Sequence, residues 1–105
     1  MNEIKSFSEE LHGLFVRAIH GYVPIKPTAH TWNEAYAGNC EFDIGGYKVT
    51  FFNDCDELDY TDSAIAPDGR AADFDAFYDN ECDPVNLLDE IQLAAFENLL
   101  ESAKP

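Results

Sequence analysis

CEFDIGGYKVTF, residues 40–51, holds two alternating apolar–polar runs on either side of a Gly-Gly pair. A two-residue primed turn needs positive φ at both central positions, and Gly-Gly supplies it without steric cost. Counting outward from Gly45-Gly46 sets Ile44 against Tyr47, Phe42 against Val49 and Cys40 against Phe51 on one face. The other face receives Asp43 opposite Lys48 and Glu41 opposite Thr50. Both faces agree on one register, and a slip of one residue would turn the apolar set to water.

Toward the C-terminus, "FNDCDELDY" (52–60) reads as a second tight connection. With Asn53–Asp56 as its loop, Phe51 meets Leu58, Val49 meets Tyr60, and Asp59 joins Glu41, Asp43 and Thr50 on the polar face. The expectation is a three-stranded antiparallel meander with one wet, acidic face. Pro67-Asp68-Gly69 marks a turn in the segment that follows. Phe74, Phe77 and Tyr78 pin that long acidic loop to the body or form a short helical turn. Asp83 then caps a helix with Pro84 at its first position, running to about Ser102. Its stripe of Val85, Leu87, Leu88, Ile91, Ala94, Ala95, Phe96, Leu99 and Leu100 is broad enough to predict deep burial.

Toward the N-terminus, the prolines of "YVPIKPTAH" (22–30) favour an extended connector. Thr31 with Glu34 forms a capping-box pattern before a short helix, Trp32 to Ala37, closed by Gly38. Ser6 with Glu9 forms another, ahead of the stripe Leu11, Leu14, Phe15, Ala18, Ile19, Tyr22. His20 and Gly21 suit the end of that helix. The chain therefore reads as one α+β domain over residues 1–105: an amphipathic N-terminal helix, a short helix, a three-stranded antiparallel β-meander, a long acidic loop and a C-terminal helix packed on the sheet. The core face is Phe42, Ile44, Val49, Phe51, Leu58 and Tyr60, covered by the two long helices.

"WNEAYAG", "FFNDCDELDY", "APDGR" and the "DPVNLL" helix start resemble a small family of uncharacterised single-domain bacterial proteins of the pseudomonad type. The likeness spans residues 31–100 and is most specific in the Asn-Asp-Cys-x-Glu-Leu-Asp-Tyr string. It implies a domain of unknown function and supplies no activity, cofactor or catalytic residue to carry over.

Composition narrows the functional classes. The 105 residues carry 21 acids against six bases, a formal charge of −15. That is about twice the upper magnitude usual for a small soluble domain, roughly 2 to 8. Residues 53–83 concentrate it, with eleven acids against the single base Arg70. Such a charge repels nucleic acid and anionic lipid, so neither direct nucleic-acid binding nor membrane binding is expected. An aromatic content of 13% separates the chain from acidic disordered sequences. No signal peptide or membrane span is expected, and Cys40, Cys55 and Cys82 lack metal-motif spacing, so a reducing cytoplasm is the simplest compartment.

Each chemical reading has a plainer rival. Asp54, Asp56, Glu57, Asp59 and Asp62 offer oxygens to a hard cation, but an EF-hand register from Asp54 puts Asp59 at the glycine position and Ile65 at the twelfth. Starting from Asp73 puts Tyr78 and Pro84 there. His12, His20 and His30 are scattered away from the cysteines, which speaks against zinc. Cys55 lies between two acids that favour its thiol form, Cys82 ahead of a helix start is opposed by Glu81 and Asp83, and Cys40 points to the core. No nucleophile elbow, HExxH or phosphate loop is present. Neither a metal, a cofactor nor catalysis is expected.

A charge run is usually a solvated face. The sharper expectation is a non-catalytic acidic protein that engages a basic protein or nucleic-acid-handling complex, including the case of an inhibitor that mimics nucleic-acid charge in anti-defence or immunity systems. Acids at i, i+2 on a strand lie about 6.6 Å apart, as Glu57 and Asp59 would beside Glu41 and Asp43. Asp54, Asp56, Asp62, Asp73, Asp75 and Asp79 extend the surface, and Phe77 and Tyr78 supply aromatic anchors within it. Trp32, Tyr36, Tyr60 and Phe74 join them wherever they stay exposed. The alternative is a cytoplasmic domain with a small-ligand or housekeeping role whose acids confer only solubility. It predicts an apolar pocket, whereas charge mimicry predicts a convex negative face.

Overall fold

Asn2 opens the first helix, its side-chain oxygen accepting from the Ile4 and Lys5 amides at 3.0 and 3.1 Å. In the computed structural model, which describes residues 2–105, α1 runs Glu3–Ile19. The Ser6–Glu9 cap expected from sequence is therefore inside the helix. Asparagine caps as well as serine, and the earlier start adds Phe7 and Ser8 to the buried stripe of Leu11, Leu14, Phe15 and Ala18. At the other end Gly21, at φ 82°, donates to Ala18 while Tyr22 donates back to Arg17. That Schellman closure throws Tyr22 outward, 81% exposed and off the stripe.

The sheet has five strands, not three, in the order β1-β2-β3-β4-β5, every pair antiparallel. They are β1 Ile25–Pro27, β2 Ala37–Ile44, β3 Tyr47–Asp54, β4 Glu57–Ile65 and β5 Ala71–Asp73. Both additions are three-residue edge strands. Their hydrogen bonds come from neighbours rather than from any local alternation, so sequence pattern does not announce them. The central hairpin has the expected register throughout, Ile44 on Tyr47, Phe42 on Val49, Cys40 on Phe51.

The β3–β4 connection departs from expectation. Asp54 pairs with Glu57, leaving a two-residue turn of Cys55 and Asp56, both at positive φ (53° and 73°). Asn53 is thus in the strand and fully buried, its amide donating to the Trp32 carbonyl at 2.7 Å and its oxygen accepting from the Asp56 amide at 2.6 Å. Two register shifts follow, leaving Asp59 and Asp62 as unpaired extra residues of β4. Phe51 then faces Thr61 and Val49 faces Ala64, while Tyr60 faces Phe52 on the outer side rather than joining the core. Bulges re-aim side chains in this way.

α2 covers Trp32–Ala35, shorter than expected, and ends at Tyr36 with φ 40°, so that Gly38 belongs to β2. The acidic loop contains α3, Phe74–Asp79, capped by Asp73. The C-terminal helix is divided: a 3₁₀ turn at Pro84–Leu87 is capped by Asp83, and α4, Glu90–Ser102, has its own capping box of Asp89 and Gln92. The break at Leu88 rotates the two pieces relative to one continuous stripe. Leu87 and Ile91 are left exposed, against the expected burial.

The core lies between the inner sheet face and the two long helices. Phe15 of α1 stacks on Phe96 of α4 at 4.8 Å, and both meet Phe51 edge-on at 5.5 and 5.6 Å. Trp32 packs against Phe42 with ring centroids 6.1 Å apart, and both it and Phe77 are fully buried. Pairs of this geometry contribute roughly 0.5–1.5 kcal/mol each beyond area burial.

Candidate functional site

The outer sheet face carries most of the acids of the central strands. Lys26, Glu41 and Lys48 are exposed on it. Asp43 is there too, but it is not free: Lys48 reaches it at 2.6 Å, Gly46 donates to it at 2.9 Å, and Lys26 is its β1 partner. The Lys48 contact holds the Asp43 carboxyl below its usual range. Glu41 accepts from the Thr28 hydroxyl at 2.7 Å. This end of the sheet is therefore mixed in charge rather than a continuous acidic track.

The opposite end is different. Asp54 and Glu57 face each other across the hairpin end, both exposed, an arrangement that like charges resist. Asp59 is exposed at its bulge and Asp62 is half-buried at the other. Tyr60 sits between them, its phenol held above the ordinary value first by burial and then by the charges of Asp62 and Asp59. Asp56 is half-buried, one carboxylate oxygen without a partner. Asp73 accepts from the Ala76 amide at 2.9 Å as the α3 cap. Asp75 and Asp79 are exposed one turn apart on α3, and Asp79 occupies its last turn, where the helix dipole disfavours a carboxylate.

Across this end runs a strip of four rings. Phe52 stacks on Tyr60 at 5.1 Å and 12°, Tyr60 meets Phe74 at 4.7 Å, and Phe74 stacks on Tyr78 at 5.6 Å. Phe52, Tyr60 and Phe74 are half-buried, and Tyr78 is 70% exposed. Phe77, expected among these anchors, belongs to the core, because the α3 turn points it inward while Phe74 and Tyr78 lie on the other side. Trp32 is likewise core; Tyr36 is exposed.

Tyr60, Phe74 and Tyr78 of the strip form one wall of an open cleft of about 570 Å³, with Asp59 and Glu81 on its rim and the half-buried Asp83 at its floor. Asp83 is engaged structurally: it accepts from the Thr61 amide and hydroxyl at 3.0 and 2.9 Å and from the Val85 amide at 2.9 Å. Burial nonetheless pushes its carboxyl up. Glu81 and Asp83 belong to the acidic run of residues 53–83, whereas Phe52 lies outside the surface expected from sequence. For Phe52 the signal was present, since an aromatic at a polar-face position of β3 is out of pattern.

Arg70, the single base of the acidic run, is turned away. It forks Glu10 of α1 at 2.8 and 2.9 Å, grips Asp68 at 2.7 Å, and lies over the Phe7 ring. Among the described residues the only ion pairs are these two and Lys48–Asp43, so the acids around the aromatic strip carry none. Cys82 lines the cleft beside Glu81 and Asp83, whereas Cys55 sits in the β3–β4 turn and Cys40 is buried in the core. Burial pushes the Cys40 thiol up to about 11 and raises that of Cys82. Among the described residues no three His, Cys, Asp or Glu side chains are placed to hold a metal ion. No helix among the described residues is long and apolar enough to cross a membrane.

The profile of the family described as a Domain of unknown function (DUF7693) matches residues 7–102. The chain belongs to that family. The match takes in α1 from Phe7 onward, the whole sheet, the aromatic strip and all of α4. It also accords with the resemblance carried by residues 31–100. Comparison with curated proteins and with solved structures returns no match.

Proposed function

We propose that this protein is a non-catalytic cytoplasmic binding protein that engages a basic partner through aromatic anchors set in an acidic rim. One observation carries the reading: Phe52, Tyr60, Phe74 and Tyr78 form a connected, partly exposed strip among carboxylates that have no basic partner among the described residues. Exposed aromatic clusters are the usual anchors of protein interfaces, and an acidic rim selects a basic counterpart and speeds encounter. Placement of the acids supports it further. Asp54 opposite Glu57 and Asp79 at a helix C-terminus weaken the fold locally, which a purely solubilising surface has no need to do.

The partner class remains a basic protein or nucleic-acid-handling complex, including one whose nucleic-acid site is occupied by this surface. The lysines beside Asp43 confine the negative field to the β3–β4–α3 end, so the proposed contact is compact rather than sheet-wide. The decisive experiment compares wild type with Asp54→Asn, Glu57→Gln, Asp59→Asn and Glu81→Gln combined, as bait in cell lysate at low salt. A defined basic complex retained by wild type alone, and released by about 0.3 M salt as screening shortens the Debye length, is the expected result. Equal recovery by both baits would turn the reading to the small-ligand alternative.

A further inference from the structure

We propose that the cleft between β4 and α3 is a receptacle for an arginine side chain of the basic partner. The inference rests on the binding reading above and specifies what its central contact is. Its walls and rim have different chemistries that converge on one kind of guest. Tyr60 and Phe74 stand 4.7 Å apart at 55°, and Tyr78 continues the wall with most of its surface in water. Ring faces of this kind attract a cation, more strongly once it is partly desolvated. Asp59 and Glu81 on the rim are exposed, and no Lys, Arg or His lines the cleft. Asp83 adds negative charge from the floor while its own oxygens are spent on Thr61 and Val85. A cation here answers both the π-faces and the unpaired carboxylates.

The kind of cation follows from geometry. A hard divalent ion wants six or more oxygens, and no group of three ligating side chains is assembled here among the described residues. An organic cation is left. A guanidinium is planar, stacks on aromatic rings, forks to carboxylates and is weakly hydrated, whereas an ammonium is a strongly hydrated point charge. A wall of rings with carboxylates at its edge suits the former. A volume of about 570 Å³ is ample for one extended side chain and part of its backbone.

Backbone amide NMR of the full chain tests this with three ten-residue Gly/Ser peptides carrying one central arginine, lysine or citrulline. The arginine peptide is expected to shift Tyr60, Phe74, Tyr78 and Glu81, the lysine peptide to bind several-fold more weakly, and the citrulline peptide to leave the spectrum unchanged. Tyr78→Ala, at a site 70% exposed and with its fold checked by the unchanged remainder of the spectrum, should weaken the arginine peptide about tenfold, in line with a partly desolvated cation–π contact. Equal binding of arginine and lysine with shifts spread over all the surface acids would overturn the cleft while leaving the acidic binding surface intact. Tetramethylammonium moving the same four residues as tightly as the arginine peptide would overturn it in favour of a small organic cation. Absence of any shift at low salt would also overturn it, and the lysate comparison then judges the wider reading separately.

Discussion

Asp56 combines two local costs, a left-handed backbone at φ 73° and a carboxylate oxygen buried without a partner. A non-glycine residue in that region costs about 1–2 kcal/mol. Asp56→Gly should therefore stabilise the protein by about 1 kcal/mol, read as a midpoint rise of roughly 4–8 °C in thermal unfolding for a domain of this size. Its neighbour Asn53 acts oppositely. Its side chain satisfies the Trp32 carbonyl and the Asp56 amide inside the fold, and stranding buried groups costs about 1–3 kcal/mol each. Asn53→Ala is expected to lower stability by at least 2 kcal/mol in urea unfolding; a loss under 0.5 kcal/mol would mean the turn is not clamped as described. "NDCDEL" was legible as a turn, but which of its residues entered the strand was not. Asn, Asp and Cys all tolerate a loop, and only the buried Trp32 carbonyl selects Asn53 as its partner.

Among the elements, the Gly45-Gly46 hairpin was read correctly because both its faces and its turn chemistry demand one register. The turn is tight: a Cβ on Gly45, at φ 57°, would stand 2.5 Å from Val23 Cγ1. Valine is stiff at χ1 and cannot swing aside. Gly45→Ala should cost about 1–3 kcal/mol, whereas the same change at solvent-facing Gly69 meets no neighbour and carries only its backbone cost. The β4 bulges were not legible, since a polar run such as "LDYTDS" accepts several registers. What selects the observed one is Asp83, whose carboxylate takes both the amide and the hydroxyl of Thr61. Asp83→Ala is expected to destabilise by about 2–3 kcal/mol and to strip hydrogen-exchange protection from the Thr61 amide before that of Val49. Uniform loss of protection would refute the clamp.

For the whole molecule, a net charge of −15 opposes compaction. Raising ionic strength from about 0.01 to about 0.1 M shortens the Debye length from about 30 to about 10 Å, so the unfolding midpoint at pH 7 should rise with salt; a flat or falling trend would show the charge is already compensated. Acid acts through particular groups. The Arg70 fork, and then the Tyr47 hydroxyl, hold Glu10 below its ordinary range. A depressed carboxylate stabilises above its unfolded pKa of about 4.3 and loses that contribution as pH falls through the folded value. Asp83 runs the other way: its raised pKa makes ionisation unfavourable to the fold, and the deficit is recovered as pH falls through that value. Arg70→Ala should accordingly reduce the drop in urea midpoint between pH 5 and pH 3; an unchanged acid limb would remove Glu10 as its source.

The sequence by itself determined the α+β class, the central hairpin with its register, the inward stripe of α1 from Leu11 to Ala18, and an acid excess centred on residues 53–83. Those follow from short-range rules, periodicity and turn stereochemistry, which act within a dozen residues. The tertiary structure alone decided the edge strands, the bulges, and the sorting of aromatics into Trp32 and Phe77 inside against Tyr60, Phe74 and Tyr78 outside. It also decided that Arg70 serves Glu10, sixty residues earlier in the chain. Each of these depends on which distant group satisfies a buried polar atom or fills a given volume, and no local pattern encodes that choice.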